Sequence, residues 1–144
     1  MSTITGYRAH TFTMSPEVTF SPSFGTFYYA GQFTVNGMNT DETAQNMLFC
    51  WRQNLSYTQT IGNVDITLSA VHYRNELQSA QTVNTLLADA GVVWRLKKVR
   101  LQAELRNIFN RCNYAVTYYG SASSSTTYYN LRPREIILSA QISL

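Results

Sequence analysis

An apolar side chain at every second position, repeated in seven separate segments, is the feature that most constrains this chain of 144 residues. The C-terminal segment is the cleanest. Ile136, Leu138, Ala140, Ile142 and Leu144 alternate with Glu135, Ser139, Gln141 and Ser143, directly after Arg134. A period of two belongs to a β-strand with one oily side. A stretch of about ten such residues is also the length that lets a tilted strand cross a hydrocarbon layer.

The other six segments repeat the pattern. The first, Thr11 to Phe20, carries Phe12, Met14, Val18 and Phe20 on one side and contains Pro16, which cannot donate to a ladder. The second presents Phe27, Tyr29, Phe33 and Val35, and the third, Met47 to Thr58, presents Met47, Phe49, Trp51, Leu55 and Tyr57. The fourth, Val64 to Tyr73, sets Val64, Ile66, Leu68 and Ala70 against Asp65, Thr67 and Ser69. The fifth and sixth form a hairpin around Lys97-Lys98 whose register sets Trp94 opposite Leu101 on the apolar side. On its polar side Asp89 faces Arg106, Gly91 faces Glu104, and Arg95 faces Arg100 near the turn. The seventh runs from about Tyr128 to Leu144. Links near 21–26, 59–63 and 97–98 are short, whereas those near 36–46, 76–84 and 119–127 are longer and polar, so tight turns gather at one end and long loops at the other.

Composition agrees with a single all-β domain over 1–144. Only 13% of residues are charged, against about 25% in an average soluble domain. Ten tyrosines, seven phenylalanines and two tryptophans favour strands and membrane interfaces over helices. The net charge of +3 comes from 11 basic residues scattered along the chain, which speaks against a nucleic-acid partner. No apolar run reaches the ~20 residues of a membrane-spanning helix. Met1 to His10 lacks the layout of a secretory signal.

The apolar side can meet either lipid or a sealed core. Between strand ends, no Asp, Glu, Lys or Arg falls at an apolar-parity position in the seven segments. The opposite side is mostly Thr, Ser, Asn, Gln and Ala rather than the dense Lys and Glu of a soluble sheet's outer face. The balance favours an antiparallel transmembrane β-barrel segment of about seven strands, with Asp89, Arg95, Arg100, Gln102, Glu104 and Arg106 facing a wet lumen. Two aromatic belts are expected: Phe20, Phe27, Tyr57 and Trp94 toward the short turns, and Phe33, Phe49, Tyr73 and Tyr114 toward the long loops. The alternatives are a soluble antiparallel β-barrel holding a small apolar ligand, and a complete small outer-membrane barrel with an enzymatic site.

Val99 to Leu144 resembles the C-terminal strands of TonB-dependent receptors of the outer membrane. The resemblance rests on Arg106-Asn107-Ile108-Phe109-Asn110, on a loop rich in tyrosine (Tyr114, Tyr118, Tyr119, Tyr128, Tyr129), and on Leu131-Arg132-Pro133-Arg134-Glu135 opening the last strand. It implies a ligand importer, outer-membrane lipid around the wall, and a last strand read by the barrel-assembly machinery through Ile136, Leu138, Ala140, Ile142 and Leu144. Family members tend to end in an aromatic residue, where this chain has Leu144. They also have a plug, an energy-coupling segment and about three times as many strands. The expectation is therefore the C-terminal part of a barrel domain, incomplete alone and completed by the remainder of a longer barrel or a partner chain.

Catalytic chemistry finds no foothold. His10 and His72 stand 62 positions apart, no His/Cys/Asp cluster has metal-ligand spacing, and neither a phosphate-cradling glycine loop nor a nucleophile elbow is present. No cofactor, metal or enzymatic activity is expected. Cys50 and Cys112, three strands apart at ~4.8 Å per strand, lie beyond disulfide reach and are expected as free thiols. Both edges of a seven-strand sheet would be unpaired.

Overall fold

A computed structural model describes residues 7–40, 43–77, 81–119 and 124–143. Alternation becomes strand throughout, and no described residue is helical. Ten strands form in chain order: β1 (Tyr7–Met14), β2 (Glu17–Phe20), β3 (Thr26–Thr40), β4 (Thr43–Ile61), β5 (Val64–Glu76), β6 (Thr82–Arg95), β7 (Val99–Arg106), β8 (Asn113–Tyr119), β9 (Ser124–Asn130) and β10 (Glu135–Ile142). The main sheet is an antiparallel meander in the order β1-β3-β4-β5-β6-β7-β10, with β2 also on β3, and it does not close. β8 and β9 pair only with each other.

Seven positions of the main sheet thus carry eight strands and a separate hairpin adds two, and both differences from the expected seven have a local cause. β1 and β2 share one register on β3, since Met14 pairs with Phe33 and Glu17 with Ala30. Between them the Gly31 N–H donates to the Pro16 carbonyl at 2.8 Å, and Pro16 has no N–H to return. The expected first strand is therefore one edge strand missing a rung. The expected seventh strand breaks at Leu131–Arg134: its upstream half becomes β9 of the separate hairpin, and only β10 joins the main sheet. The expected link near 36–46 is also corrected, because β3 and β4 stay paired out to Thr40–Thr43 across an irregularity between Met38 and Thr40.

Turns follow residue chemistry. The β4–β5 connection is Gly62-Asn63, with Gly62 at φ 58°, and the Arg95 N–H donates to the Asn63 carbonyl at 2.8 Å. Gly25, at φ 147°, passes so close to β4 that a Cβ there would stand 2.5 Å from the Tyr57 ring and 2.9 Å from the Thr58 carbonyl. The Ser143 N–H donates to the Lys98 carbonyl, so the described C-terminal end lies beside the short turns, as expected. Leu144 lies outside the described residues.

Because the period is two, the ladder sorts the sheet into an apolar and a polar face. One apolar row crosses all seven positions: Phe20, Phe27, Tyr57, Leu68, Ala90, Leu105 and Ile136. Among the described residues nothing covers that face: Phe12 is 66% exposed, Leu138 76% and Ile142 68%. Among the described residues the buried apolar set is Leu48, Leu77 and Ala115, all toward the long-hairpin end. The described residues enclose no sealed interior.

The apolar band does not follow the hydrogen-bonded rows. In the row of Met14, Phe33 and Trp51, β5 and β6 already carry Arg74 and Asn84, and one row nearer the short turns they carry His72 and Leu86. At the other end, Ile61, Val64, Trp94, Leu101 and Ala140 share a row that lies beyond the end of β2. From β1–β2 to β10 the band's midpoint drifts by about seven residues, or ~24 Å along the strands, over six strand spacings of ~4.8 Å. The band thus slopes by about 40° across the hydrogen-bonded rows, and the strands stand about 40° from its normal.

Candidate functional site

β6 and β7 bring the charged candidates onto one face. Arg95 pairs with Arg100, Val93 with Gln102 and Gly91 with Glu104, so Asp89, Arg95, Arg100, Gln102, Glu104 and Arg106 all lie on the polar side. The opposed arginines are balanced by Asp65 of β5, which forms an ion pair with Arg95 and accepts from Thr60 Oγ1 at 2.8 Å. Arg106 holds Glu104 through Nε at 2.9 Å and Nη2 at 2.7 Å, and Gln102 also donates to Glu104. Gln102, Glu104 and Arg106, together with Thr67, Ser69, Asp89 and Gly91, line an open cavity of about 310 Å³. Gly91 keeps it roomy, since the nearest atom to a Cβ there would be Glu104 Cγ at 3.8 Å.

The expected Asp89–Arg106 pairing is corrected. The β6–β7 ladder stops at Ala90–Leu105, and Arg106 pairs instead with Glu135 of β10. Asp89 Oδ1 accepts the Asn107 N–H at 2.7 Å. The chain turns away from the sheet there because Asn107 and Asn110 adopt left-handed φ of 49° and 51°, which asparagine tolerates better than most residues.

That turn gathers the residues of the family-like motif. Asn107, 8% exposed, donates through Nδ2 to the carbonyls of Arg111 (2.8 Å) and Arg132 (2.7 Å) and accepts the Arg111 N–H through Oδ1 at 2.9 Å. Asn110 Oδ1 accepts the Arg134 N–H at 2.9 Å, and the Leu131 N–H donates to the Cys112 carbonyl at 2.7 Å. Two distant chain segments are tied at one knot. Pro133 sits between β9 and β10, where no ladder bond is demanded of it. Phe109 remains 51% exposed and takes no part in these bonds.

From the knot, β8–β9 folds back onto the polar face. Asn75 Nδ2 donates to the Ala115 carbonyl at 3.0 Å, and Thr85 Oγ1 to the Asn113 carbonyl at 3.2 Å. Tyr73 and Tyr114 meet with ring centroids 4.8 Å apart, Tyr114 and Tyr129 at 5.8 Å, and the Arg52 guanidinium lies 5.5 Å over Tyr73. Tyr73 and Tyr114 therefore leave the expected aromatic belt and serve the polar side. Asn75 and Thr85, 4% and 3% exposed, escaped the sequence reading, because an Asn and a Thr at polar parity look like any other lining residue.

The apolar face keeps the rest of both belts. Phe20, Phe27 and Tyr57 cluster near the short turns, with Phe27 and Tyr57 centroids 4.6 Å apart, while Phe33 and Trp51 meet edge to face at 5.8 Å toward the long hairpins. Gln53, His72, Arg74 and Asn84 also fall on this face, a departure from strict alternation. They sit toward the long-hairpin end, where His72 Nε2 lies 2.6 Å from Asn84 Oδ1 and Arg74 stacks 5.5 Å over Trp51. Of the C-terminal candidates, Ile136, Leu138, Ala140 and Ile142 line one exposed apolar stripe.

No group of three or more His, Cys, Asp or Glu that could hold a metal occurs among the described residues. Cys50 and Cys112 are free. Scans of family models, curated proteins and solved structures found no match to this chain.

Proposed function

We propose that this chain is a wall segment of an outer-membrane β-barrel, akin to the C-terminal strands of TonB-dependent receptors, non-enzymatic and serving solute passage across the membrane. One observation carries the reading: the exposed apolar band slopes by about 40° across the hydrogen-bonded rows, so the strands stand about 40° from the band's normal, the tilt that barrel strands take to the membrane normal. A flat slab of hydrocarbon imprints a level band on tilted strands. The polar face, with its cavity and internally neutralised charges, then faces a watery lumen, and the short-turn end faces the periplasm. The Asn107 to Arg134 motif supports the same family.

Open edges define the partners. β1 and β10 each leave a row of backbone groups unpaired, untenable in lipid, so the remainder of a longer barrel or a partner chain completes the wall. The stripe Ile136 to Ile142 on the terminal strand is what the barrel-assembly machinery would engage.

Tryptophan quenching tests the reading, since Trp51 and Trp94 both lie on the apolar face. Refolded into vesicles of brominated lipid, the chain should lose most of its tryptophan emission relative to vesicles without bromine. A chain that is monomeric without detergent and whose emission ignores the bromines refutes the proposal and favours the soluble barrel.

A further inference from the structure

We infer that the β8–β9 hairpin is an internal strap, lying across the polar face near the long-hairpin mouth and held there by Asn75 and Thr85; its role as a constriction rests on the wall reading above. The strap has no ladder to the sheet, since β8 and β9 pair only with each other. Its two feet are fixed side by side by the Asn107 knot and the Leu131–Cys112 bond. The first residues of β8 are held by two side-chain-to-carbonyl hydrogen bonds and the Tyr73–Tyr114 contact.

The anchors are unusual for this protein. Asn75 and Thr85 are two of the three buried polar residues among those described. Tyr73 and Thr85 form one cross-strand pair, and Asn75 lies two positions further along the same face. A loop extending freely from the wall would leave all three wet. Instead they converge on the first turnings of β8, at Asn113, Tyr114 and Ala115. Loss of the anchors would let the hairpin swing about fixed feet, so the strap covers the polar face around Tyr73, Asn75 and Thr85 while docked and uncovers it when released.

Pulsed dipolar distances between spin labels test this in the refolded protein with both native cysteines changed to serine. One label goes on the wall at Ser69→Cys and one on the hairpin at Ser125→Cys; a reference pair, Ser69→Cys with Gln141→Cys, reports the wall alone. A docked strap gives a single narrow Ser69–Ser125 distance. Asn75→Ala with Thr85→Val should abolish the narrow component and lengthen the mean, with the reference pair unchanged. A broad distribution in the parent protein overturns the strap, as does a narrow one that survives the double substitution. Should the reference pair also move, the near-isosteric Thr85→Val alone, partial loss expected, takes its place. A narrow parent distance in a chain that brominated lipid does not quench would retain the strap and reject the membrane wall.

Discussion

The side-chain amide of Asn107 donates to the main-chain carbonyl of Arg132 at 2.7 Å, joining the end of β7 to the approach to β10 across 25 residues of chain. The same amide serves Arg111, so one buried side chain closes both feet of the β8–β9 hairpin. Its left-handed φ of 49° explains why the position favours asparagine over residues of similar size.

Asn107→Ala should therefore cost about 2–3 kcal/mol, from stranded carbonyls and an N–H plus backbone strain. Asn107→Gly should recover up to about 1 kcal/mol of that, because only the strain is relieved. Denaturant unfolding of the refolded protein in micelles measures both, and equal losses would mean that backbone conformation is irrelevant at this site.

Face parity predicts opposite outcomes for adjacent residues. Leu68→Arg puts a cation in the apolar row that crosses the sheet and should cost ~2–4 kcal/mol in vesicles. Thr67→Arg, one residue away and facing the cavity, should change stability by less than about 1 kcal/mol. Similar penalties for the two would contradict a lipid-facing side.

Two glycines should respond differently to alanine. Gly25→Ala forces a methyl to 2.5 Å from the Tyr57 ring at a φ of 147°, and a loss of about 1–3 kcal/mol is expected. Gly91→Ala meets nothing nearer than 3.8 Å and should be neutral or stabilising by about 0.5 kcal/mol, since a strand glycine carries an entropic cost. Unfolding midpoints of the two variants decide this.

Thiol chemistry offers a check on topology. Maleimide should modify both cysteines without prior reduction, the exposed Cys112 faster than the half-buried Cys50. Mass spectrometry that found an unreactive, bridged pair would demand a different strand order.

The Arg95–Asp65 ion pair is partly exposed, so Asp65→Asn should lower the unfolding midpoint only slightly, and the loss should shrink further in high salt. Its larger consequence is local, because Arg95 and Arg100 are then left opposed without a counter-charge. Thermal unfolding at two ionic strengths measures both effects.

Sequence alone determined the strands of the main sheet, though not β8, and the register of the β6–β7 hairpin, because a period of two assigns side chains to a side and a one-residue slip would invert all of them. It also determined which charges share a face, from Asp89 to Arg106, and that the end of the chain lies beside the short turns. Tertiary structure decided the rest. Whether Asp89 meets Arg106 or the Asn107 N–H, and whether Tyr128 continues the last strand or joins β9, depends on where asparagine turns the backbone out of the ladder. The slope of the apolar band and the docking of the hairpin on Asn75 and Thr85 arise only when strands stand side by side. Alternation along one strand carries no information about the height of its neighbour, and that relative height is what inclines the band.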